Sequence, residues 1–228
     1  MLRDALQTTR RFCSMAGDAH GVVVTDVFSC DVTRAELLTR LGFRQYRLFD
    51  PIRVRDLADP LSHQRLPPGF IARSARADDY QQLAAVRNSA FRDDWSGDGF
   101  RDEVMRKPGY RPEREIIVVG PDGHIVAFTV TWIDTLNRVG HFEPVGTHRD
   151  FQRRGLAQAM MLVALRKLQS LGMHSPTVEH AADNRPALEL YSRLGFEKNY
   201  ELYGYRFDAG GGSGEVSGDG IEPLLEHG

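Results

Sequence analysis

The sequence predicts an α/β protein built on a mixed, mostly antiparallel sheet flanked by helices. From residue 69 onward, segments with the apolar alternation of strands are interrupted by segments with the apolar spacing of helices. Two of the strands are joined by Pro121-Asp122-Gly123, a turn that favours an antiparallel hairpin. Further on, a helix separates two strands, which is the connection that a parallel pair requires. Together these patterns indicate a layered sheet with helices packed against it.

The elements follow one another along the chain after a Pro-rich link at 66–70. Strands are predicted at 69–75, 114–120, 124–134, 140–148, 175–181 and 199–207, and helices at 77–91, 154–171 and 184–196. Residues 92–113 are irregular, with one short helix. Before the link, the pattern predicts a strand at 21–28 and a helix at 31–43, after a remnant of an earlier helix at the start of the chain.

Composition excludes several classes of protein. A formal charge of −2 over 228 residues argues against a general nucleic-acid or membrane-surface binder, so we expect neither partner. Residues 1–15 lack the apolar core of a signal peptide, and no apolar run approaches the roughly 18 residues of a membrane span. Cys13 and Cys30 form no close-spaced pair and suit a reduced compartment. These features predict a soluble, cytoplasmic protein.

An internal repeat links the two parts of the chain. Residues 31–43 align with residues 184–196 at a constant offset, and six residues match. The matched pairs are Glu36 and Glu189, Leu37 and Leu190, Arg40 and Arg193, Leu41 and Leu194, Gly42 and Gly195, and Phe43 and Phe196. The shared Leu-Gly-Phe is explained by packing, since glycine closes a helix in the left-handed conformation. A chance likeness of two amphipathic helices is the alternative.

Two arginines and a glycine stand where the helix at 154–171 begins. The stretch Gln152-Arg153-Arg154-Gly155-Leu156-Ala157 gives that helix a basic start, although the positive end of the helix dipole favours acidic residues. The N–H groups of a helix start form an anion cradle, and arginines add charge-assisted hydrogen bonds to phosphate. We therefore interpret this segment as a diphosphate site. A solvated basic turn and a nucleic-acid contact are the alternatives.

Two motifs together resemble the GNAT superfamily of acyl-CoA-dependent N-acetyltransferases. Residues 152–157 fit the family's Gln/Arg-x-x-Gly-x-Gly/Ala loop at a helix entrance. The second motif, Asn184-x-x-Ala187-x-x-x-Tyr191-x-x-x-Gly195-Phe196, follows in the family's order and spacing. The resemblance covers residues 69–207, and the degenerate first part is similar to half of the leading domain in tandem members of the family. It implies a GNAT-like sheet in which a parallel strand pair splays apart.

The resemblance implies contacts to the pantetheine arm of acetyl-CoA. In the family, the strand before the helix leaves its parallel neighbour, which makes Val145 and Thr147 main-chain contacts, with Gly146 between them. A glycine inside a strand otherwise marks a bulge or a close backbone approach, or has a purely structural use at the strand end. Asn184 is implied to bind the same arm, and the small Ala187 leaves room for it.

The resemblance also implies the proton transfers. Tyr191 is implied to protonate the departing thiolate, although a tyrosine at such a position otherwise belongs to the core or its rim. Glu143 is the candidate general base, because a carboxylate with apolar neighbours accepts a proton more readily. A salt-bridged or solvent-facing glutamate is the alternative. Other candidate bases are His141, His148, Glu179 and His180.

Repeat and resemblance divide the chain into three parts. We expect a partial, degenerate GNAT-like half-domain at 1–65, a catalytic acetyltransferase domain at 66–207 and a flexible Gly/Ser-rich tail at 208–228. The half-domain should dock on the second domain or on another subunit, which leaves a homodimer open; a longer upstream sequence is the other alternative.

The expected activity is transfer of an acetyl group from acetyl-CoA to a primary amine by direct attack in a ternary complex, with no metal. The acceptor is a small molecule or a peptide. Its selection is expected to depend on residues 92–113, where four acidic residues would attract a cationic amine: Asp93, Asp94, Asp98 and Glu103. A non-catalytic acyl-CoA-binding or interaction module, and a purely structural partner, are the alternatives.

Overall fold

The computed structural model describes residues 2–16, 21–63 and 65–208. Its helices are α1 (Leu2–Ala16), α2 (Val32–Arg40), α3 (Tyr80–Phe91), α4 (Gly97–Phe100), α5 (Leu156–Ser170) and α6 (Arg185–Arg193). Its strands are β1 (Val22–Phe28), β2 (Arg44–Val54), β3 (Ile71–Ser74), β4 (Glu115–Val119), β5 (Ile125–Asp134), β6 (Val139–Thr147), β7 (Thr177–Glu179) and β8 (Glu197–Asp208). The predicted tail after Asp208 lies outside the described residues.

The chain forms two compact units. The smaller unit contains the described residues before 49 and after 202, and the larger unit contains residues 49–202. None of the helices within the described ranges combines the length and apolarity that a membrane crossing requires.

The larger unit is built on a mixed sheet. Its strands lie in the order β2, β7, β6, β5, β4, β3. Neighbouring strands are antiparallel except β6 and β7, which are parallel. The predicted fold class is confirmed: a mixed, mostly antiparallel sheet with a parallel pair, flanked by helices. The predicted turn at 121–123 joins β4 to β5 as an antiparallel hairpin.

Helices bury both faces of this sheet. On one face, α5 packs Met160 and Leu165 into a cluster with Phe142. On the other face, α3 packs Leu83 into a cluster with Phe128. Each fully buried aliphatic or aromatic side chain contributes about 1.5–3 kcal/mol by leaving water, so these two clusters hold β6 and the start of α5 in place.

The smaller unit contains α1, β1, α2, the first part of β2 and the last part of β8. Its buried cluster is formed by Leu6, Val27, Leu38, Phe43 and Tyr205. The cluster lines one side of β1, because Val27 and the half-buried Val23 pack against it while Val22 and Val24, on either side of Val23, are exposed.

The repeated segments fold alike. Asp31 caps α2 and Asn184 caps α6, each accepting a hydrogen bond from the backbone N–H three residues ahead, at 3.0 and 3.1 Å. Gly42 and Gly195 follow these helices with φ of +89° and +78°, the left-handed region that favours glycine. The sequence match therefore reflects a shared cap, helix and closing turn, and the order helix, strand, helix, strand is also shared.

β2 is a strand that the sequence analysis did not predict. Pro51 lies inside it, and proline inside a run of residues argues against a strand. Ile52 is nevertheless buried and pairs with Glu179 of β7. Residues 49–63 belong to the larger unit, which therefore begins earlier than the predicted boundary at residue 66.

Candidate active site

β6 and β7 pair over a short distance only. Their parallel register pairs His141 with Thr177 and Phe142 with Val178. β6 continues beyond these residues to Thr147, whereas β7 ends at Glu179. We call the region beside β6 from Glu143 to Thr147, on the side away from β5 and beyond the last pairing with β7, the gap.

β6 carries a bulge where it leaves β7. Thr129 of β5 faces Val145, and Thr131 faces Phe142. Glu143-Pro144, a cis peptide, therefore lies opposite a single residue of β5. The extra residue bends β6 at the point where its partner ends.

Gly146 is explained by packing. A Cβ at this position would lie 2.5 Å from the ring of Phe128 and 3.2 Å from the Cβ of Ala90. The close neighbours are side-chain atoms, so the structure supports the structural use among the alternatives that the sequence left open. The bulge lies at Glu143-Pro144 instead, because that is where the register of β6 shifts.

The peptide groups of Val145 and Thr147 face the gap. The His148 N–H donates a hydrogen bond to the Val126 carbonyl at 2.8 Å, so this pair is a hydrogen-bonded one. Hydrogen-bonded and non-hydrogen-bonded pairs alternate between antiparallel strands, which turns the polar groups of Val145 and Thr147 away from β5. Consistently, Gln152 Nε2 donates to the Thr147 carbonyl at 3.4 Å. These groups are placed to hydrogen-bond an amide in the gap.

The chain enters α5 through two left-handed residues. Arg153 has φ of 60°, and Gly155, the N-cap residue, has φ of 74°. Leu156 is buried and anchors the first turn in the core, and Ala157 is half-buried beside it. The first N–H groups of a helix have no partner within the helix, and they carry its positive end. The entrance of α5 is therefore suited to an anion.

Arg154 places a positive charge at this entrance, and two contacts fix its guanidinium. Its guanidinium lies 4.9 Å from the centroid of the Phe151 ring. It also donates a hydrogen bond to the Asp150 carbonyl at 3.0 Å. The Phe151 ring in turn packs edge-on against Phe70. Because these contacts restrict the guanidinium, less side-chain freedom is lost when an anion binds.

α6 presents Asn184 at its start and Tyr191 two turns later. Asn184 is exposed and uses Oδ1 for the cap, which leaves its NH₂ group as the donor that a ligand can reach. Ala187 packs half-buried against the core between them. Tyr191 is only 5% exposed, and its ring packs against those of Phe196 and His180.

The phenol of Tyr191 is a proton donor over the neutral range. Burial, with a smaller effect of the negative charge of Glu179, raises the pKa of Tyr191 to about 12. A buried phenol resists ionisation because the charged form loses its hydration. Tyr191 is therefore protonated when a thiolate would leave.

Three of the five candidate bases meet at the gap. Ligand atoms of His141, Glu143 and Glu179 lie within 4.8 Å of one another. His141 Nε2 is 3.7 Å from Glu143 Oε2, and its Nδ1 is 2.8 Å from Thr177 Oγ1. Burial lowers the pKa of His141, although the charge of Glu143 opposes this. The Glu143 side chain is 61% exposed, so a substrate can reach it.

The other two histidines have different roles. His180 Nε2 accepts a hydrogen bond from Arg53 at 3.1 Å, and its Nδ1 lies 2.8 Å from the Ala181 carbonyl. With both ring nitrogens engaged, His180 is a structural group. His148 Nδ1 accepts from the Asp150 N–H at 3.3 Å and belongs to the turn before α5.

A buried carboxylate was missed by the sequence analysis. Glu115 is fully buried at the start of β4, and the Tyr110 hydroxyl donates a hydrogen bond to its Oε2. Its Oε1 has no hydrogen-bond partner among the described residues. Burial raises the pKa of Glu115 to about 7, although the Tyr110 hydrogen bond opposes this. The signal was a glutamate opening an otherwise apolar strand. The hydrogen bond between Tyr110 and Glu115 attaches the irregular segment 92–113 to the sheet.

The acidic residues of that segment are partly neutralised. Asp93 pairs with Arg87 at 2.9 Å, and Asp98 pairs with Arg101 at 2.8 Å. Asp94 and Glu103 are exposed. The attraction that this segment exerts on a cation is therefore weaker than four free carboxylates would give.

Related proteins were found by sequence and by structure. A mycothiol acetyltransferase of Pseudarthrobacter chlorophenolicus is 27% identical over 203 residues, which cover 85% of this chain and 60% of that protein. One from Streptomyces coelicolor is 29% identical over 168 residues, or 71% of this chain and 53% of that protein. The chain thus spans only about half to three fifths of the length of these relatives.

Solved structures share the fold. A GCN5-related N-acetyltransferase from Sphaerobacter thermophilus matches with a TM-score of 0.65 at 21% identity, covering 85% of this chain and 62% of that one. A tandem GNAT protein from the clavulanic acid biosynthesis pathway matches with a TM-score of 0.67 at 15% identity, covering 90% and 68%.

The family itself is shown by sequence. Residues 80–196, more than half of the chain, match the profile described as the acetyltransferase (GNAT) family. This stretch contains the gap between β6 and β7, the entrance of α5 and all of α6. The protein therefore belongs to the GNAT family of acetyltransferases.

Proposed function

We propose that this protein transfers an acetyl group from acetyl-CoA to a primary amine of a small molecule, with both substrates bound together. The observation that carries the proposal is the gap beside β6. Peptide groups of Val145 and Thr147 face it, the basic entrance of α5 follows it in the chain, and Glu143 lies at the bulge where it opens.

The residues around the gap fit acetyl-CoA, which supplies the acetyl group as a thioester. The diphosphate suits the α5 entrance, where Arg153 and Arg154 add positive charge. The peptide groups of Val145 and Thr147 suit the amides of the pantetheine arm, and the Asn184 amide adds a donor. The other residues of the entrance complete the binding site for the diphosphate. Gln152 offers a polar amide, Gly155 and Ala157 are small, and the buried Leu156 anchors the first turn of α5.

Glu143 serves as the general base in this proposal. Its exposed carboxylate takes a proton from the acceptor's ammonium group, directly or through His141, which lies 3.7 Å away. The free amine then forms a bond to the thioester carbonyl carbon. Main-chain N–H groups facing the gap stabilise the negative charge that develops on the carbonyl oxygen.

Tyr191 completes the proton balance. As the carbon–sulfur bond breaks, the buried phenol donates its proton to the leaving sulfur. The attacking nitrogen loses its second proton as the amide forms, and a proton returned through solvent restores the Tyr191 phenol, while the proton held by Glu143 passes to water. Most of the rate enhancement comes from holding amine and thioester together in the correct geometry.

The acceptor is proposed from the relatives and from charge. Because relatives at 27–29% identity are named mycothiol acetyltransferases, the unacetylated precursor of mycothiol is the first acceptor to test. The carboxylates of Glu143 and Glu179 suit a cationic amine at the gap.

Mass spectrometry of the acceptor tests the proposal. The purified chain is incubated with acetyl-CoA and a panel of amines that includes the mycothiol precursor. The product is detected by its mass. A reagent that reports the released thiol of CoA would also react with an acceptor that is itself a thiol, as the name mycothiol indicates. We expect one acetyl group to be added to an amine, with loss of activity in Glu143→Gln and retention in the equally exposed control Glu36→Gln on α2. Binding of acetyl-CoA without acetylation of any amine would instead indicate a non-catalytic acyl-CoA-binding module.

A further inference from the structure

Two carboxylates and one imidazole lie close together at the gap. We infer that His141, Glu143 and Glu179 form a binding site for one Zn²⁺ ion, and that the ion inhibits acetyl transfer when it is bound. The binding itself does not rest on the proposed function. The inhibition rests on the proposed function, because it requires Glu143 to be the base.

The sheet itself brings the three side chains together. His141 is paired with Thr177, and Glu179 follows Thr177 by two residues, so its side chain leaves β7 on the same face. Glu143 follows His141 at the bulge of β6. The site is thus built on two adjacent strands, which places its ligands more rigidly than loops would.

The spacing of the donor atoms suits a small metal ion. Zinc bonds of about 2.0–2.2 Å to nitrogen and oxygen place neighbouring tetrahedral ligands about 3.4 Å apart. His141 Nε2 and Glu143 Oε2 are 3.7 Å apart, and all three ligand atoms lie within 4.8 Å of one another. Because the Glu143 side chain is 61% exposed, it is free to rotate by the small amount that closure of the site requires.

The kinds of donor select the metal. Imidazole nitrogen is a ligand for zinc and similar transition metals, whereas Mg²⁺ and Ca²⁺ prefer oxygen ligands throughout. Two carboxylates balance the double charge of the ion. One nitrogen and two oxygen donors leave a fourth position for water, which is the coordination of an open zinc site.

A neighbouring hydroxyl orients the imidazole. Thr177 Oγ1 lies 2.8 Å from His141 Nδ1, and Thr177 is itself buried. With Nδ1 engaged, Nε2 is the nitrogen that faces Glu143. A hydrogen bond to the second nitrogen of a ligating histidine is the usual arrangement around zinc, and its loss typically lowers metal affinity by about 10–100-fold.

Metal titration of the full chain tests the site without any need for activity. Zn²⁺ is titrated in competition with a chromophoric chelator, and Co²⁺ is added separately so that its absorption spectrum reports the coordination number. We expect one ion per chain, and an affinity at least about tenfold lower in His141→Gln, Glu179→Gln and Thr177→Val. The control His124→Gln, in an exposed turn, should bind as the wild type does. Thermal unfolding of each variant confirms that it is folded.

Two results would overturn the site: no saturable binding by the wild type, or equal affinity in wild type and both ligand variants. Inhibition is measured separately, with whichever amine is acetylated. Half-inhibition should coincide with half-saturation by Zn²⁺, and a chelator should restore the rate. If no amine is acetylated, the proposed function fails while the binding result stands. If Zn²⁺ binds at these residues and the rate is unchanged, the inhibitory role is contradicted.

Discussion

Gly146 and Phe128 are in such close contact that an alanine Cβ at position 146 would lie 2.5 Å from the aromatic ring. Gly146→Ala must therefore move the ring or the end of β6. We expect a loss of about 1–3 kcal/mol in the free energy of unfolding, the usual cost of overpacking a core, measured by urea denaturation.

A double variant separates this contact from a backbone effect. Phe128→Leu removes the ring atoms that the new methyl group would meet, so Gly146→Ala should cost less in its presence than alone. Purely additive losses would show that the ring is not the reason for the glycine.

The two capping residues of the repeat provide matched variants for Asn184. Asn184→Ala should lose about 1 kcal/mol of stability with the cap and also bind acetyl-CoA more weakly. Asn184→Asp keeps a capping oxygen but removes the NH₂ donor, so it should retain stability and still bind acetyl-CoA more weakly. Asp31→Ala loses only a cap, on α2. Calorimetric titration beside thermal unfolding measures both effects; normal acetyl-CoA affinity in Asn184→Asp would confine Asn184 to capping.

Tyr191→Phe should separate binding from turnover. The ring and its packing are retained, so acetyl-CoA affinity and stability should be unchanged, whereas kcat should fall by about 10²-fold or more with the loss of the acid. Because the pKa of Tyr191 is raised to about 12, ionisation of this phenol should cause no loss of wild-type kcat between about pH 6 and pH 9. Full activity of Tyr191→Phe would remove the general-acid assignment.

Glu115 makes stability depend on pH. Its pKa rises on folding from 4.5 to about 7, so the folded chain binds the proton more tightly than the unfolded chain. Stability from this group is therefore fully present below about pH 4.5 and falls as pH rises to about 7, by about 3 kcal/mol in all. Glu115→Gln keeps an acceptor for the Tyr110 hydroxyl but has no carboxyl group to ionise, so its free energy of unfolding should not fall with pH in this way.

Urea denaturation at several pH values checks this prediction. The variant's advantage over the wild type should grow from pH 4.5 to 7 and then level off. Tyr110→Phe removes a donor that favours the carboxylate, so the fall in stability should begin at the same pH but extend to higher pH and become larger. Parallel pH profiles of wild type and Glu115→Gln would contradict the assignment.

Local patterns predicted much of the fold. The hairpin depended on the turn Pro121-Asp122-Gly123, and the helix at 154–171 on the spacing of its apolar residues, and both are confirmed. β2 was missed because Pro51 interrupts it and its pairing with β7 joins residues far apart in the sequence. Such non-local pairing has no signature within a short window of residues.

The candidate site was predictable in its parts but not in its assembly. The motifs placed the α5 entrance and α6, since each is a local turn and helix. The sequence left five candidate bases open, because the meeting of His141 and Glu179 depends on the register between β6 and β7. The same separation concealed the metal-ligand grouping, which sequence spacing did not indicate. The burial of Glu115 likewise depends on the packing of Tyr110.

Calorimetric titration with acetyl-CoA tests the central claim, that the entrance of α5 and the gap beside β6 bind this molecule. Arg154→Glu reverses a charge held at the entrance, whereas Arg166→Glu makes the same change in net charge further along α5. We expect saturable binding by the wild type, similar binding by Arg166→Glu, and at least about tenfold weaker binding by Arg154→Glu. No saturable binding by the folded wild type, or equal affinities for all three proteins, would contradict this account.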